Sequence, residues 1–294
     1  MLVRLVPLAV DLPQQVAADW ALVLEALGIV HELREGAAGH ALWVADEQLA
    51  AATRELTRYL RENDQAPAAP LEWPHHPHSL AGVLSYAAVL VTVTIAAIER
   101  LGGFNWVNRG VLDAGFLARG EWWRPATALT LHADLGHLLA NIAFGAIFAY
   151  PAGRIFGPGI AWLLITAGAV VAYALDALLH PPAHALLGAS TAVFVALGLI
   201  SAVAWRRRAT HRITPMQRAA PLVAGVALLA FTGFGGERTD VLAHVLGFLV
   251  GAALGAAGAG WNWPAPGRRA PQWAAGGTAL AIVVLAWAAA LAQP

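Results

Sequence analysis

Apolar residues gather into seven long runs along the chain, near 80–98, 136–152, 159–179, 189–204, 219–234, 241–259 and 274–292. A helix needs about 17–25 predominantly apolar residues to cross a bilayer, and polar positions here collect between the runs. Residues 1–65 are patterned differently. Leu2 to Val10 reads as a strand and Pro13 to Gly28 as an amphipathic helix. Val30 to Arg34 and His40 to Val44 read as a hairpin turning at Gly36 and Gly39, and Ala45 to Asn63 as a helix of alternating charge. The pattern predicts an α-helical polytopic membrane protein with a small N-terminal α+β soluble domain in βαββα order. That domain carries no catalytic pattern. Residues 66–78 are rich in Pro and His and read as a linker. His75, His76 and His78 lack a nearby acidic or Cys partner, so a solvated or headgroup-level linker is the simpler reading there.

Composition agrees with the runs. The chain is 59% hydrophobic and 12% charged, about half the charge of a soluble domain. Net charge is zero, which leaves no basic surface for nucleic acid. With no cysteine, disulfides, thiolate metal sites and a Cys nucleophile are excluded together. Met1 to Val10 is too short, and ends too early in Asp11, to read as a signal peptide. Nothing in the sequence implies a cofactor or a metal.

The fourth run is short. From Ala189 to Ala204 a helix covers only about 24 Å, against a hydrocarbon core of about 30 Å. With Trp205-Arg206-Arg207-Arg208 at one surface, the Ser190 end stops below the other, where buried amides need water. A sunken, hydrated cavity with Ser190 at its floor is expected. Arg206, Arg207, Arg208, Arg212 and Arg218 join spans four and five, and Arg268 and Arg269 follow span six. The positive-inside rule makes these loops and the N-terminus cytoplasmic, and puts Ser190 and His244 near the outer face. The first loop also holds Arg100, Arg109, Arg119 and Arg124, against that bias.

An ionisable residue inside a span is costly and by default marks a functional site. His244 is such a residue, and Ser190 lies at matching depth on another run. A serine needs a base to become a nucleophile, and histidine supplies one at neutral pH. Gly247, Gly251 and Gly255 repeat every four residues on span six, as Gly188, Ala192 and Ala196 do on span four. Such faces let helix backbones approach closely. His137 and Asn141, four apart at the start of span two, share a helix face and offer two donors to a developing oxyanion, beside the Ser190 amide. His132 reads as support for the adjoining loop. Asp240 and Asp176 read as caps near span ends.

These residues resemble those of the rhomboid intramembrane serine proteases over roughly 80–260. Gly188-Ala189-Ser190-Thr191 is similar to the family's nucleophile motif, and Ala243-His244 with Gly247 and Gly251 to the motif that supplies the base. His137 and Asn141 match its oxyanion pair, Trp123-Arg124 a pair in its first loop, and Phe194 the aromatic beside its histidine. The resemblance implies a six-helix core over 79–262, with 263–294 a C-terminal extension bearing a seventh transmembrane helix. It implies a serine endopeptidase of the inner membrane with a Ser190–His244 dyad. It also implies an acyl-enzyme, and membrane-protein substrates cleaved in transmembrane segments near the outer face. Thr191 stands where Gly is frequent, and Gly153 precedes Arg154 where many members carry Glu. Trp122 and Trp123 are expected at headgroup depth. Phe231, Phe234 and the loop Gly233 to Gly236 are candidates for a gate and cap.

Other intramembrane proteases fit worse: His31-Glu32-Leu33-Arg34-Glu35 lacks the second His of HExxH, and no paired intramembrane Asp arrangement occurs. The rival of another class is a non-catalytic binder or chaperone of transmembrane helices. A transporter would show internal repeats, and none is evident. The pattern does not fix the oligomeric state.

Overall fold

The computed structural model describes residues 4–36, 39–63, 75–116, 118–180, 185–208, 214–233, 240–260 and 263–293. The chain divides into two units, Met1–Pro70 and Leu71–Pro294.

In the first unit, period-2 segments form strands β1 (Leu5–Leu12), β2 (His31–Gly36) and β3 (Gly39–Ala45), with helices α1 (Gln14–Ala26) and α2 (Leu49–Asn63). The antiparallel sheet has the order β1-β3-β2, and the β2–β3 hairpin closes at the pair Gly36–Gly39. Leu24, Leu42, Val44 and Ala52 are fully buried between sheet and helices. A single-turn 3₁₀ segment, Asp46–Gln48, separates β3 from α2, so the second helix begins later than its charge pattern suggests.

The second unit is a helical bundle. Among the described residues, six helices are long and apolar enough to cross a membrane: α3 (Ser79–Ile98), then, beyond short α4 (Trp106–Gly110) and α5 (Arg124–Ala128), α6 (Leu135–Phe156), α7 (Pro158–Leu179), α8 (Ser190–Arg208), α10 (Val241–Gly258) and α11 (Arg269–Leu291). Between α8 and α10 lies α9 (Pro215–Gly233), whose described apolar part, Pro215–Phe231, is shorter. The protein is a multi-pass membrane protein. Two-thirds of the α8 window is buried (67%), against 28% for α3 and α11, so α8 is the central helix and those two are peripheral. The α8 helix also continues through Arg208 rather than stopping at Ala204. Its apolar part keeps the expected length, and the arginines extend it by one turn.

Glycines fix how α8 meets α10. A Cβ on Gly251 would lie 2.1 Å from the Val195 carbonyl oxygen, and one on Gly255 2.3 Å from that of Leu199. Reciprocally, a Cβ on Gly198 would lie 2.1 Å from the Phe248 carbonyl. Only bare backbone fits, as in small-residue crossings of membrane helices. The sequence placed this contact on the wrong stripe of α8. The residues against the α10 glycines are Thr191, Val195 and Leu199 with Gly198, whereas Ala192 and Ala196 face Tyr86, Gly145 and Trp162 on α3, α6 and α7. Side-chain size misled here because Val195 and Leu199 present their carbonyls, not their side chains, to α10.

Two small features tie the first loop to the core. β4 (Leu112–Asp113) pairs antiparallel with β5 (Ala185–Leu186), just before α8. On the C-terminal helix, Trp287 donates from Nε1 to Thr130 Oγ1 at 3.0 Å.

Candidate active site

Ser190 is the first residue of α8 and is half-buried, while His244 lies one turn into α10 and is 6% exposed. Their side chains meet: His244 Nε2 and Ser190 Oγ are 2.9 Å apart across 54 residues of sequence. The α8–α10 backbone contact brings them together. Below the pair a Cβ on Gly247 would lie 2.7 Å from the Thr191 carbonyl, so the helices are already in contact one turn from the histidine. The Phe194 ring packs on the imidazole with centroids 4.3 Å apart, which fixes the ring plane.

The turn into α8 is set by Gly188, at φ +124, a conformation that an L side chain rarely adopts. Gly188 also leaves room for His137: a Cβ there would come within 2.6 Å of the imidazole. The buried Tyr173 on α7 donates its hydroxyl to the Gly188 carbonyl at 2.7 Å, and the Gly188 N–H donates to Ala128 at 2.9 Å. The segment ahead of the serine is thus held by both its polar backbone groups. Sequence patterning gave no sign of Tyr173, since a tyrosine in an apolar run reads as core.

Asn141 lies one turn beyond His137 on α6 and is 5% exposed, and its Nδ2 has no hydrogen-bond partner among the described residues. A buried amide donor without an acceptor costs free energy, and that cost is tolerated where a ligand or reacting atom supplies the acceptor. Asp134 caps α6 by accepting from the His137 N–H at 2.8 Å. His132 stacks edge-on against His137, with centroids 5.2 Å apart. Burial, then the neighbouring His137, pushes His132 down to about 4.

The two aspartates part company. Asp240 caps α10, accepting from the Ala243 N–H at 2.9 Å. Asp176 is not a surface cap: it is fully buried and lies 3.2 Å from His180 Nδ1. One turn of α7 before the loop, the bundle covers what the sequence placed at a span end.

Trp123 and Arg124 organise the first loop. Arg124, 9% exposed, makes a bidentate pair with Glu121 at 2.7 and 3.0 Å and donates to the carbonyls of Asn108 and Val111. The Arg124 guanidinium holds the Glu121 carboxyl below the usual carboxylate range. Glu121, three residues before Arg124, is thus the acidic partner of that guanidinium. Of the paired tryptophans only Trp122 is exposed, at 61%, while Trp123 is buried against Leu131 and Trp287. Both indoles were expected at headgroup depth; the C-terminal helix covers the second. His76 is buried, with its N–H donating to the Arg154 carbonyl, and His75 Nδ1 lies 2.8 Å from the Arg154 guanidinium. Phe231 is 85% exposed. Phe234, Gly235 and Gly236 lie outside the described residues.

A family model described as a rhomboid domain matches residues 119–260, the stretch that holds His137, Asn141, Ser190 and His244. That stretch, just under half of the chain, is a rhomboid domain. The putative rhomboid protease YdcA of Bacillus subtilis (strain 168) is 25% identical over 138 residues, which is 47% of this chain and 68% of that protein. The rhomboid protease GluP of the same organism is 30% identical over 159 residues, 51% of this chain and 30% of GluP. Rhomboid-related protein 1 of Caenorhabditis elegans is 38% identical over 80 residues, 26% of this chain and 21% of that protein. The chain thus matches under a third of the length of the last two.

Proposed function

We propose that this protein is an intramembrane serine endopeptidase. One observation carries the reading: the 2.9 Å contact between Ser190 Oγ and His244 Nε2, made between two apolar helices. A base within hydrogen-bond reach of a hydroxyl is the first geometric requirement of a serine nucleophile. His244 Nε2 takes the proton from Ser190 Oγ as that oxygen attacks the scissile carbonyl. The oxyanion of the tetrahedral intermediate accepts from Asn141 Nδ2, His137 and the Ser190 amide at the start of α8. The imidazolium then gives its proton to the leaving amine, and the acyl-enzyme forms. Water, deprotonated by His244, attacks the ester and restores the serine. His132, Trp123 and Arg124 support the loop and helix start around the oxyanion groups.

The substrate in this reading is a transmembrane segment of another membrane protein. An intact helix hides its carbonyls in its own hydrogen bonds, so helix-weakening Gly or Pro near the cleavage point favours reaction. The arginines that end α8 favour a cytoplasmic N-terminus in the inner membrane and an outward-facing site. The test is cleavage of a reporter transmembrane protein by the full chain in liposomes. Fragments from the wild type and none from Ser190→Ala or His244→Ala are expected. A folded wild type that binds the reporter without cutting it would instead support a helix-binding chaperone.

A further inference from the structure

A cavity of about 810 Å³ lies between α3, α7 and α11. Its volume is far beyond a packing defect, since a water occupies about 30 Å³ and ligand pockets run to about 1,000 Å³. The walls are mostly apolar, including Leu90, Ile165, Leu280 and Val283. The charged side chains of the lining, Arg268 and Arg269, gather at one end, with His78 and the first residues of α7. These groups share one end of the bundle. Gln272 of α11 bridges the α6–α7 turn, donating to the Phe156 carbonyl at 2.9 Å and accepting from the Ile160 N–H at 3.1 Å. The other end reaches Ala189 and Ala192, behind the start of α8.

Length, shape and charge narrow the occupant. From Arg269 to Val283 the α11 wall rises about 21 Å, at about 1.5 Å per residue. That matches one leaflet of hydrocarbon, about 15 Å, with a headgroup layer above it. A transmembrane helix of about 10 Å diameter over the same length would need roughly twice the volume. Acyl chains fit where a helix does not. Both arginines are exposed, and among the described residues neither has an acidic partner. The N-terminal ends of α7 and α11 add positive potential at the same end. A zwitterionic headgroup would bring an ammonium to a mouth whose described lining residues include no carboxylate to receive it.

We propose that the α3–α7–α11 cavity is a binding site for one anionic phospholipid, its phosphate on Arg268 and Arg269 and its acyl chains against α3, α7 and α11. The lipid then forms the outer wall of the bundle behind Ala189 and Ala192. This site is separate from the Ser190–His244 pair and does not rest on the proteolytic reading.

Native mass spectrometry of the full chain, released from detergent and titrated with phosphatidylglycerol or phosphatidylcholine of equal chain length, tests it. One phosphatidylglycerol should be retained at least ten-fold more tightly than phosphatidylcholine. Each arginine near an anionic headgroup contributes about five-fold, so Arg268→Ala with Arg269→Ala should weaken phosphatidylglycerol about thirty-fold. Arg206→Ala, which removes a charge from the α8 end, should leave it unchanged. Gly277 lines the cavity with nothing within 4 Å of an added Cβ, so Gly277→Phe should fill the space and abolish retention. Ala81→Trp fills it from α3 and should do the same. Equal retention of the two lipids, wild-type binding by the double arginine variant, or retention by both filled variants would overturn the proposal.

Discussion

Two seams in one bundle have opposite character. The α8–α10 seam is closed: carbonyls sit where glycine side chains would begin, and Gly198, Gly247, Gly251 and Gly255 leave no space for a methyl group. The α3–α7–α11 seam touches at one end, where Gly159 meets the Gln272 backbone and Gly82 the Trp162 indole, but is open beyond it, with about 810 Å³ between its helices and nothing near a Cβ on Gly277. The closed seam ends at Ser190 and His244, and the open one at two arginines. In lipid there is no hydrophobic gain from helix association, so contact itself stabilises the packing. Rigid contact is spent where two side chains must stay within hydrogen-bond reach, and slack is left where lipid can complete the wall.

The largest effect that would break this contrast lies at the head of the closed seam. Ser190→Ala and His244→Ala should each lower cleavage by about 10⁴-fold or more, with the double variant no worse than either, because the pair acts as a unit. Kinetics on a reporter substrate read this; additive losses would separate the two roles. Within the seam, Gly251→Leu should force α8 and α10 apart. A loss of about 3 kcal/mol in unfolding free energy, read by denaturant titration in micelles, is expected, along with loss of activity. Asn141→Ala, beside the head of the seam, should reduce kcat by about 10²–10³-fold with little change in KM, as removal of an oxyanion donor does. Equal changes in KM and kcat would assign Asn141 to binding.

A smaller effect concerns pH. His132 has its folded value lowered to about 4 from 6.5. The unfolded chain therefore takes up this proton first as pH falls. Stability from neutral His132 is complete above about pH 6.5 and is lost between there and about pH 4, by about 2 kcal/mol after solvent screening. Melting midpoints in detergent across that range should fall, and His132→Asn should flatten the curve. The smallest effect belongs to the open seam: Gly277→Phe should change stability by less than about 1 kcal/mol. A large loss there would show that this seam, too, is close-packed.

Much of this was legible in the chain. Apolar runs gave six of the spans to within about five residues, because membrane length is a strict constraint on a helix, while the fifth run became the shorter α9. The placing of Ser190 and His244 near the starts of their helices followed from the runs, and Gly247 and Gly251 marked the face of α10. Other features were hidden for physical reasons. The partner stripe on α8 carries Val195 and Leu199, which look bulky in sequence but make contact through their carbonyls. Tyr173 holds the Gly188 carbonyl with a single hydroxyl, which no periodicity reveals. Asp176 is buried by helices remote in sequence, and the open seam is an absence of contact between three helices.

The central claim is that the closed seam makes Ser190 a nucleophile. A fluorophosphonate probe on the purified full chain, followed by peptide mapping of the labelled residue, tests it most directly. The account predicts covalent labelling at Ser190 in the wild type, and none in Ser190→Ala or His244→Ala. A folded wild type that takes up no label, or label that persists in Ser190→Ala, would contradict it.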